Sequence, residues 1–237
     1  YNAKNELIRT LKQKAPKENG LHKASWYLAE KGVRGPSRKL AKKNASEPRG
    51  VTVLPGNYKV VMHYGKHKDS TTVKVAYDPR VEMPFEVLKS KYDLQKQLEK
   101  QFERTGKAVT QLNKSKKIAT TYKKQFKEVD QKKYKDAIKK SDSIVKSINT
   151  LIDAMIGKED KRQGITRNPE LTPMNFLYTA RSYVGSLKEK PGKTQMQLIK
   201  NADEKVDEVM KKIDNFFKTS WPEYRKEIEG IDFSLFK

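Results

Sequence analysis

Three histidines, at positions 22, 63 and 67, are the only imidazoles in the 237 residues. In His63-Tyr64-Gly65-Lys66-His67 two of them flank a short turn, with Asp69 as the one nearby acid. Two imidazoles and one carboxylate make a poor metal site, because zinc takes three or four protein ligands. The chain has no cysteine, which excludes disulfides and thiolate ligands. No phosphate-binding loop, dinucleotide fingerprint or nucleophile elbow occurs. Among the acids, Glu103 stands four residues before Lys107, the spacing of a helix-surface ion pair. Asp203, Glu204, Asp207 and Glu208 read as the acidic opening of a helix, which the helix dipole favours. None of these acids falls in the turn-rich context of a glycosidase acid pair. The expectation is no catalytic residue, no cofactor and no metal in this stretch of chain.

The remaining groups able to do chemistry are cations. Lys and Arg number 52 against 29 Asp and Glu, for a net charge of +23 and a pI near 9.8. Residues 104–146 concentrate the excess in Lys114, Lys116, Lys117, Lys123, Lys124, Lys127, Lys132, Lys133, Lys135, Lys139 and Lys140. A face of this kind can hold a polyanion, nucleic acid or acidic polysaccharide, through counterion release, with affinity that falls steeply as salt rises. The aromatic residues nearby, Tyr122, Phe126 and Tyr134, fall at core spacing rather than as a stacking platform, so nucleic acid is the less favoured polyanion. The competing reading is a solvated Lys-rich surface, supported by the scarcity of Arg, the residue suited to bidentate phosphate recognition.

These residues must be placed by two different kinds of chain. Residues 1–80 alternate with period two and are punctuated by Gly and Pro. Strands are expected at residues 6–11, 22–28, 57–64 and 70–77, with a hairpin loop over 65–69 and a Pro55-Gly56 turn. Alternation places Trp26 inward with Ala24 and Leu28, in the core of an antiparallel sandwich. Residues 30–50 are basic and poor in apolar side chains, which predicts a mobile surface loop, with a basic loop that binds a polyanion together with the 104–146 face as the alternative.

From Pro84 onward the period is that of helices. Leu88, Tyr92, Leu98, Phe102, Val109 and Leu112 form one stripe, with a kink expected at Gly106. Tyr134, Ile138, Val145, Ile148, Ile152 and Met155 form a second, closed by Gly157. After a polar link over 158–169, Thr172-Pro173 opens a third helix that Pro191-Gly192 ends. Thr194 with Gln197 reads as a capping box for a fourth, which Pro222 kinks or restarts. A tail at residues 231–236 is apolar enough to dock back. The fold class read this way is α+β and multidomain: a β-sandwich over 1–80, then an up-and-down four-helix bundle over 81–237. Paired inward Glu with Glu-x-x-His motifs, the mark of di-iron bundles, does not occur, since this half holds no His. No run nears the ~20 apolar residues of a membrane-spanning helix, and no leader-type apolar segment stands at the start.

Tyr1-Asn2-Ala3-Lys4-Asn5-Glu6-Leu7, Gly20-Leu21-His22-Lys23-Ala24-Ser25-Trp26 and Pro55-Gly56-Asn57-Tyr58-Lys59-Val60 together resemble the immunoglobulin-like module of flagellar hook-capping proteins. In that module the first strand starts before the position of Tyr1, so the resemblance implies a truncated copy. Val75-Ala76-Tyr77-Asp78-Pro79-Arg80, then Asp93-Leu94-Gln95-Lys96-Gln97-Leu98, Trp221-Pro222-Glu223-Tyr224-Arg225 and Phe233-Ser234-Leu235-Phe236-Lys237 extend the likeness. The whole resembles the C-terminal region of large exported bacterial proteins with sortilin-like, BNR-repeat β-propellers, often labelled glycosyl hydrolases. The resemblance implies a periplasmic or cell-surface location and a non-catalytic accessory role, packing on an upstream propeller of the same polypeptide. Any hydrolase activity would then belong to the parent protein, and no functional residue transfers to this chain.

Overall fold

The computed structural model describes residues 1–81, 83–159 and 171–233. Four strands, β1 (Ala29–Lys31), β2 (Arg49–Thr52), β3 (Gly56–Tyr64) and β4 (His67–Val75), precede five helices. These are α1 (Phe85–Asp130), α2 (Lys135–Ile156), α3 (Pro173–Gly185), α4 (Lys193–Lys218) and α5 (Ser220–Glu229). The expected sandwich followed by a four-helix bundle is therefore corrected. The molecule is helix-dominated, with two separate two-stranded sheets, β1–β2 and β3–β4.

The physical reason lies in what the first 80 residues can bury. A sandwich needs two sheets whose inner faces close on one another. Residues 6–11 and 22–28 form no strand, and Leu28 has a positive φ of 49° that breaks the expected run beside Trp26. Trp26 is half-buried, not a core residue; Ala24 and Leu28, its expected inward partners, are exposed. Its Nε1 donates to the Ala29 carbonyl at 3.0 Å, and its ring meets Tyr58 edge-on at 5.4 Å. β3 and β4 do pair antiparallel, from Gly56 with Val75 to Tyr64 with His67. The connection is the two residues Gly65-Lys66, with Gly65 at φ 57°, and so tighter than the expected five-residue loop. Tyr1 and Lys59 exchange backbone hydrogen bonds of 2.9 and 3.0 Å at the outer edge of β3.

The core is helical. Leu98, Phe102, Val109, Leu112 and Phe126 of α1 interlock with Ile148, Ile152 and Met155 of α2, Leu177 and Val184 of α3, and Val206 and Ile213 of α4. The helix ends follow local chemistry. Thr172 caps α3, with its hydroxyl accepting from the Asn175 N–H, and Pro173 occupies the first turn. Gly157 ends α2 at φ 86°, a conformation that suits glycine. Two boundaries differ from expectation, and at a third the structure selects the restart over the kink. The α3 helix stops at Gly185, before Pro191-Gly192. The α4 helix starts at Lys193, where Gln195 Oε1 accepts from the Gly192 N–H at 3.1 Å in place of a Thr194–Gln197 box. Pro222 sits in the first turn of the separate helix α5. Phe233 packs on Phe126 and Tyr134 with ring centroids 5.0 and 5.7 Å apart, and Ile231 packs on the core beside it; residues 234–236 of the expected tail and most of the 158–169 link lie outside the described residues.

Candidate functional site: a basic cleft beside the long helix

Helix α1 runs unbroken through Gly106, so the glycine serves another purpose than a kink. The Arg34 carbonyl oxygen lies 2.0 Å from where a Cβ at residue 106 would be, and only a glycine lets the strap approach that closely. Residues 33–40 follow α1 from this point. Gly35 lies over Phe102, and the Asn113 side-chain amide donates to the Ser37 carbonyl at 2.8 Å. Arg38 then crosses to the end of α2, where its guanidinium meets Asp153 Oδ1 at 2.6 Å and donates to the Gly157 carbonyl. A cation there complements the partial negative charge of the helix C-terminus. Residues 30–50, expected as a surface loop, thus supply a strap attached to the helices at several separate points. At its start, Glu30 accepts from Tyr92 Oη at 2.5 Å and pairs with Lys96 at 3.1 Å. Burial, reinforced by that bond to a carboxylate, pushes the Tyr92 phenol well above the ordinary tyrosine range.

Between the strap and α1 lies an open cleft of about 460 Å³. Its helix wall is Asn113, Lys116, Lys117, Thr120, Thr121 and Lys124, at the three- and four-residue spacing that keeps them on one face. Its other wall is Arg38, Lys39 and Leu40. Thr120 and Thr121 donate their hydroxyl protons to the carbonyls of Lys116 and Lys117, at 2.8 and 2.9 Å. Their oxygens therefore present lone pairs outward.

The lysines singled out from sequence separate into groups. Lys116, Lys117 and Lys124 line the cleft. Lys123 pairs with Asp142, and Lys140 pairs with Glu227 at 2.7 Å. Lys124 lies 3.6 Å from Glu128, a loose pair that leaves it exposed. Lys133 sits over the Tyr134 ring at 5.2 Å. Lys114, Lys127, Lys132, Lys135 and Lys139 are dispersed over the surface of α1, the α1–α2 turn and α2. One contiguous face is therefore not formed. Tyr122 is half-buried, while Phe126 and Tyr134 belong to the core, and no aromatic ring lines the cleft among the described residues. Sequence reading missed Asn113, Thr120 and Thr121 as members of the site, while Lys39 belongs to the basic 30–50 loop. The signal available was the run of polar residues at positions 113, 116, 117, 120, 121 and 124.

The other candidates are separated by the fold. Along β3 and β4, His67 stands opposite Tyr64, whose side chain leaves the strand on the face opposite to that of His63. The two imidazoles therefore project from different faces of the hairpin. Among the described residues no group of three or more His, Asp or Glu is placed to hold a metal, and no helix is long and apolar enough to cross a membrane. Glu103 and Lys107 form their ion pair at 2.7 Å. Asp203, Glu204, Asp207 and Glu208 lie well inside α4 rather than in its first turn. Asp207 pairs with Arg104 at 2.5 Å. Asp203 is half-buried against α1; burial pushes its carboxyl above the ordinary range, and its Oδ1 lacks a hydrogen-bond donor among the described residues. Compared with known protein families, curated proteins and solved structures, the chain matches none.

Proposed function

We propose that this chain is a non-catalytic accessory region of a larger exported protein, docking through its first 80 residues on an upstream β-propeller. The observation that supports this reading is apolar surface left uncovered. Among the described residues, ten of the seventeen large apolar side chains that are exposed, including Leu7, Leu11, Leu21, Tyr27, Met62 and Tyr64, fall in residues 1–80. Val60, Met62 and Tyr64 share one face of the β3–β4 hairpin and are all exposed, beyond the end of that face where Trp26 meets Tyr58. Scattered apolar residues need no explanation, but Val60, Met62 and Tyr64 lie side by side on one face, and contiguous apolar surface of that kind supports a contact role. The test is hydrogen exchange over residues 1–80, measured in this chain alone and in the full-length polypeptide. Amides that slow only in the full-length polypeptide support docking. Equal exchange in both, or a reading frame that opens at Tyr1 behind a stop codon, refutes it.

A second reading, polyanion binding, is favoured by the cleft between the strap and α1. Lys39, Lys116 and Lys117 converge there without a carboxylate partner among the described residues. Fluorescence anisotropy with labelled heparin fragments at low and moderate salt tests it. Binding that weakens steeply with salt supports the reading. Absence of binding at low salt ends it.

A further inference from the structure

Resting on the polyanion reading, we infer that the strap–α1 cleft is a binding site for an acidic polysaccharide, a chain that carries both anionic groups and free hydroxyls. The ligand chemistry follows from what the cleft offers. Lys39, Lys116 and Lys117 supply ammonium groups not drawn off by carboxylates among the described residues, and Lys124 adds a fourth held loosely at 3.6 Å from Glu128. Arg38 is different. It is spent on Asp153 and the Gly157 carbonyl, so it holds the wall in place rather than facing the ligand. From Lys116 to Lys124 the helix rises about 12 Å at 1.5 Å per residue. The cations therefore form a row along the cleft, which suits an extended chain of spaced charges over a single compact anion.

Thr120 and Thr121 decide between classes of polyanion. Their protons are committed to backbone carbonyls, so toward the cleft they can only accept hydrogen bonds. An anionic oxygen gains nothing from such a group. A sugar hydroxyl does, because it donates. The ligand that satisfies the whole cleft brings anions to the lysines and O–H donors to the threonines. DNA brings no such donor from its backbone; RNA does, in its 2′-hydroxyl. A single-stranded nucleic acid, RNA included, also needs rings on which to stack its bases, and no aromatic side chain lines the cleft among the described residues. Leu40, on the strap wall, provides apolar surface for the C–H face of a sugar.

The experiment is a titration at low salt of the full chain with three labelled probes of equal length: a sulfated heparin oligosaccharide, oligo-dT and oligo-U. It is run on the wild type, on the triple variant Lys39→Gln/Lys116→Gln/Lys117→Gln, and on a control triple, Lys127→Gln/Lys135→Gln/Lys139→Gln, outside the cleft. Five of the six lysines are exposed and Lys116 is half-buried, and a melting curve verifies that each variant is folded. The expected result is heparin binding tighter than either nucleic acid, and a loss of at least about tenfold in the cleft triple. The log–log salt slope should fall by about 2 to 3, because each lysine neutralised by substitution displaces about one counterion fewer on binding; the control should change much less. If both triples lose affinity equally, the cleft is not the site and the polyanion reading survives as diffuse charge. If the wild type binds no probe, that reading fails as well. Nucleic acid bound as tightly as heparin, with the same loss in the cleft triple, would overturn the polysaccharide assignment. Thr120→Val/Thr121→Val removes both acceptors with little change in shape; an unchanged preference for heparin over oligo-dT would also overturn it.

Discussion

Replacing Gly106 by Ala tests whether the strap is held by close backbone approach. On an exposed helix the change gains about 1 kcal/mol of helix propensity. Here the added methyl would lie 2.0 Å from the Arg34 carbonyl oxygen and 3.1 Å from the carbonyl carbon of Gly35, atoms of the backbone that no rotamer change can move. Forcing such overpacking costs about 1–3 kcal/mol, or else the strap lifts away. Lifting gives up the Asn113–Ser37 hydrogen bond and the Arg38 contacts at Asp153 and Gly157. Each such bond contributes about 0.5–1.5 kcal/mol, so detachment costs more than the propensity returns. The net expectation is a loss of about 1–2 kcal/mol, or about 2–8 °C in Tm for a chain of this size. Hydrogen exchange and limited trypsin cleavage should localise the change: cleavage after Arg34, Arg38 and Lys39 accelerates while the helical core stays protected. A variant that melts higher than wild type, with the strap as resistant to trypsin as before, would refute the close-packed strap.

Asp203→Asn should stabilise the protein by up to about 1 kcal/mol at neutral pH, a discounted figure because the carboxyl is partly solvated and screened. The Gln101 side chain acts on the Asp203 carboxyl, and Gln101 Oε1 and Asp203 Oδ1 both lack a partner among the described residues, so an amide at 203 adds a donor where two acceptors meet. Since burial raises the Asp203 pKa in the folded state, its penalty is full above that pKa and fades as pH falls toward the ordinary value of 3.8; the gain from Asn, read from melts between pH 7 and 4, should shrink in step. Trp26→Ala removes one hydrogen bond and one edge-on ring contact from a half-buried site, so about 1–2 kcal/mol is expected, well below the 3–5 of a core Trp; a larger loss in denaturant titration would return Trp26 to a core role. Phe126→Ala, at the meeting point of Tyr122, Tyr134 and Phe233, should cost about 3–5 kcal/mol and broaden the melt of the α1–α2 pair. An unchanged melt would show that this ring cluster does not hold the helices together.

The helices were legible because their signals are local. Thr172-Pro173, Gly157 and the apolar spacing of α1 and α2 each act over one or two turns. The existence of the β3–β4 hairpin was legible for the same reason, since alternation on either side of Gly65 marks two strands, but its two-residue turn and hence its register were not. The sandwich misread alternation as burial. Val60, Met62 and Tyr64 share a face as expected, yet no second sheet covers it among the described residues, and period two says nothing about what lies above a face. Gly106 was read as a flaw in a helix because its partner, Arg34, is 72 positions away in sequence and contributes only a carbonyl that every residue has. The cleft was half legible. Its helix wall is a pattern at positions 113–124, but its other wall depends on where a Pro- and Ser-containing segment settles.

That settlement runs against the charge. Laying Lys39 beside Lys116 and Lys117 brings like charges together on a protein already at +23. Each such encounter costs on the order of 1 kcal/mol at 4 Å in water and less at greater separation or in salt. The strap is held there by uncharged contacts instead: a carbonyl on Gly106, a backbone oxygen on Asn113, and a Gly35 backbone against Phe102. Arg38, the cation among its anchors in this stretch, is neutralised by Asp153 rather than by anything in the cleft. The repulsion left in the cleft is therefore unrelieved by the fold, and an anionic ligand relieves it on binding. For this reason Lys39, Lys116 and Lys117 differ from Lys123 or Lys140, whose charges already have carboxylate partners in Asp142 and Glu227.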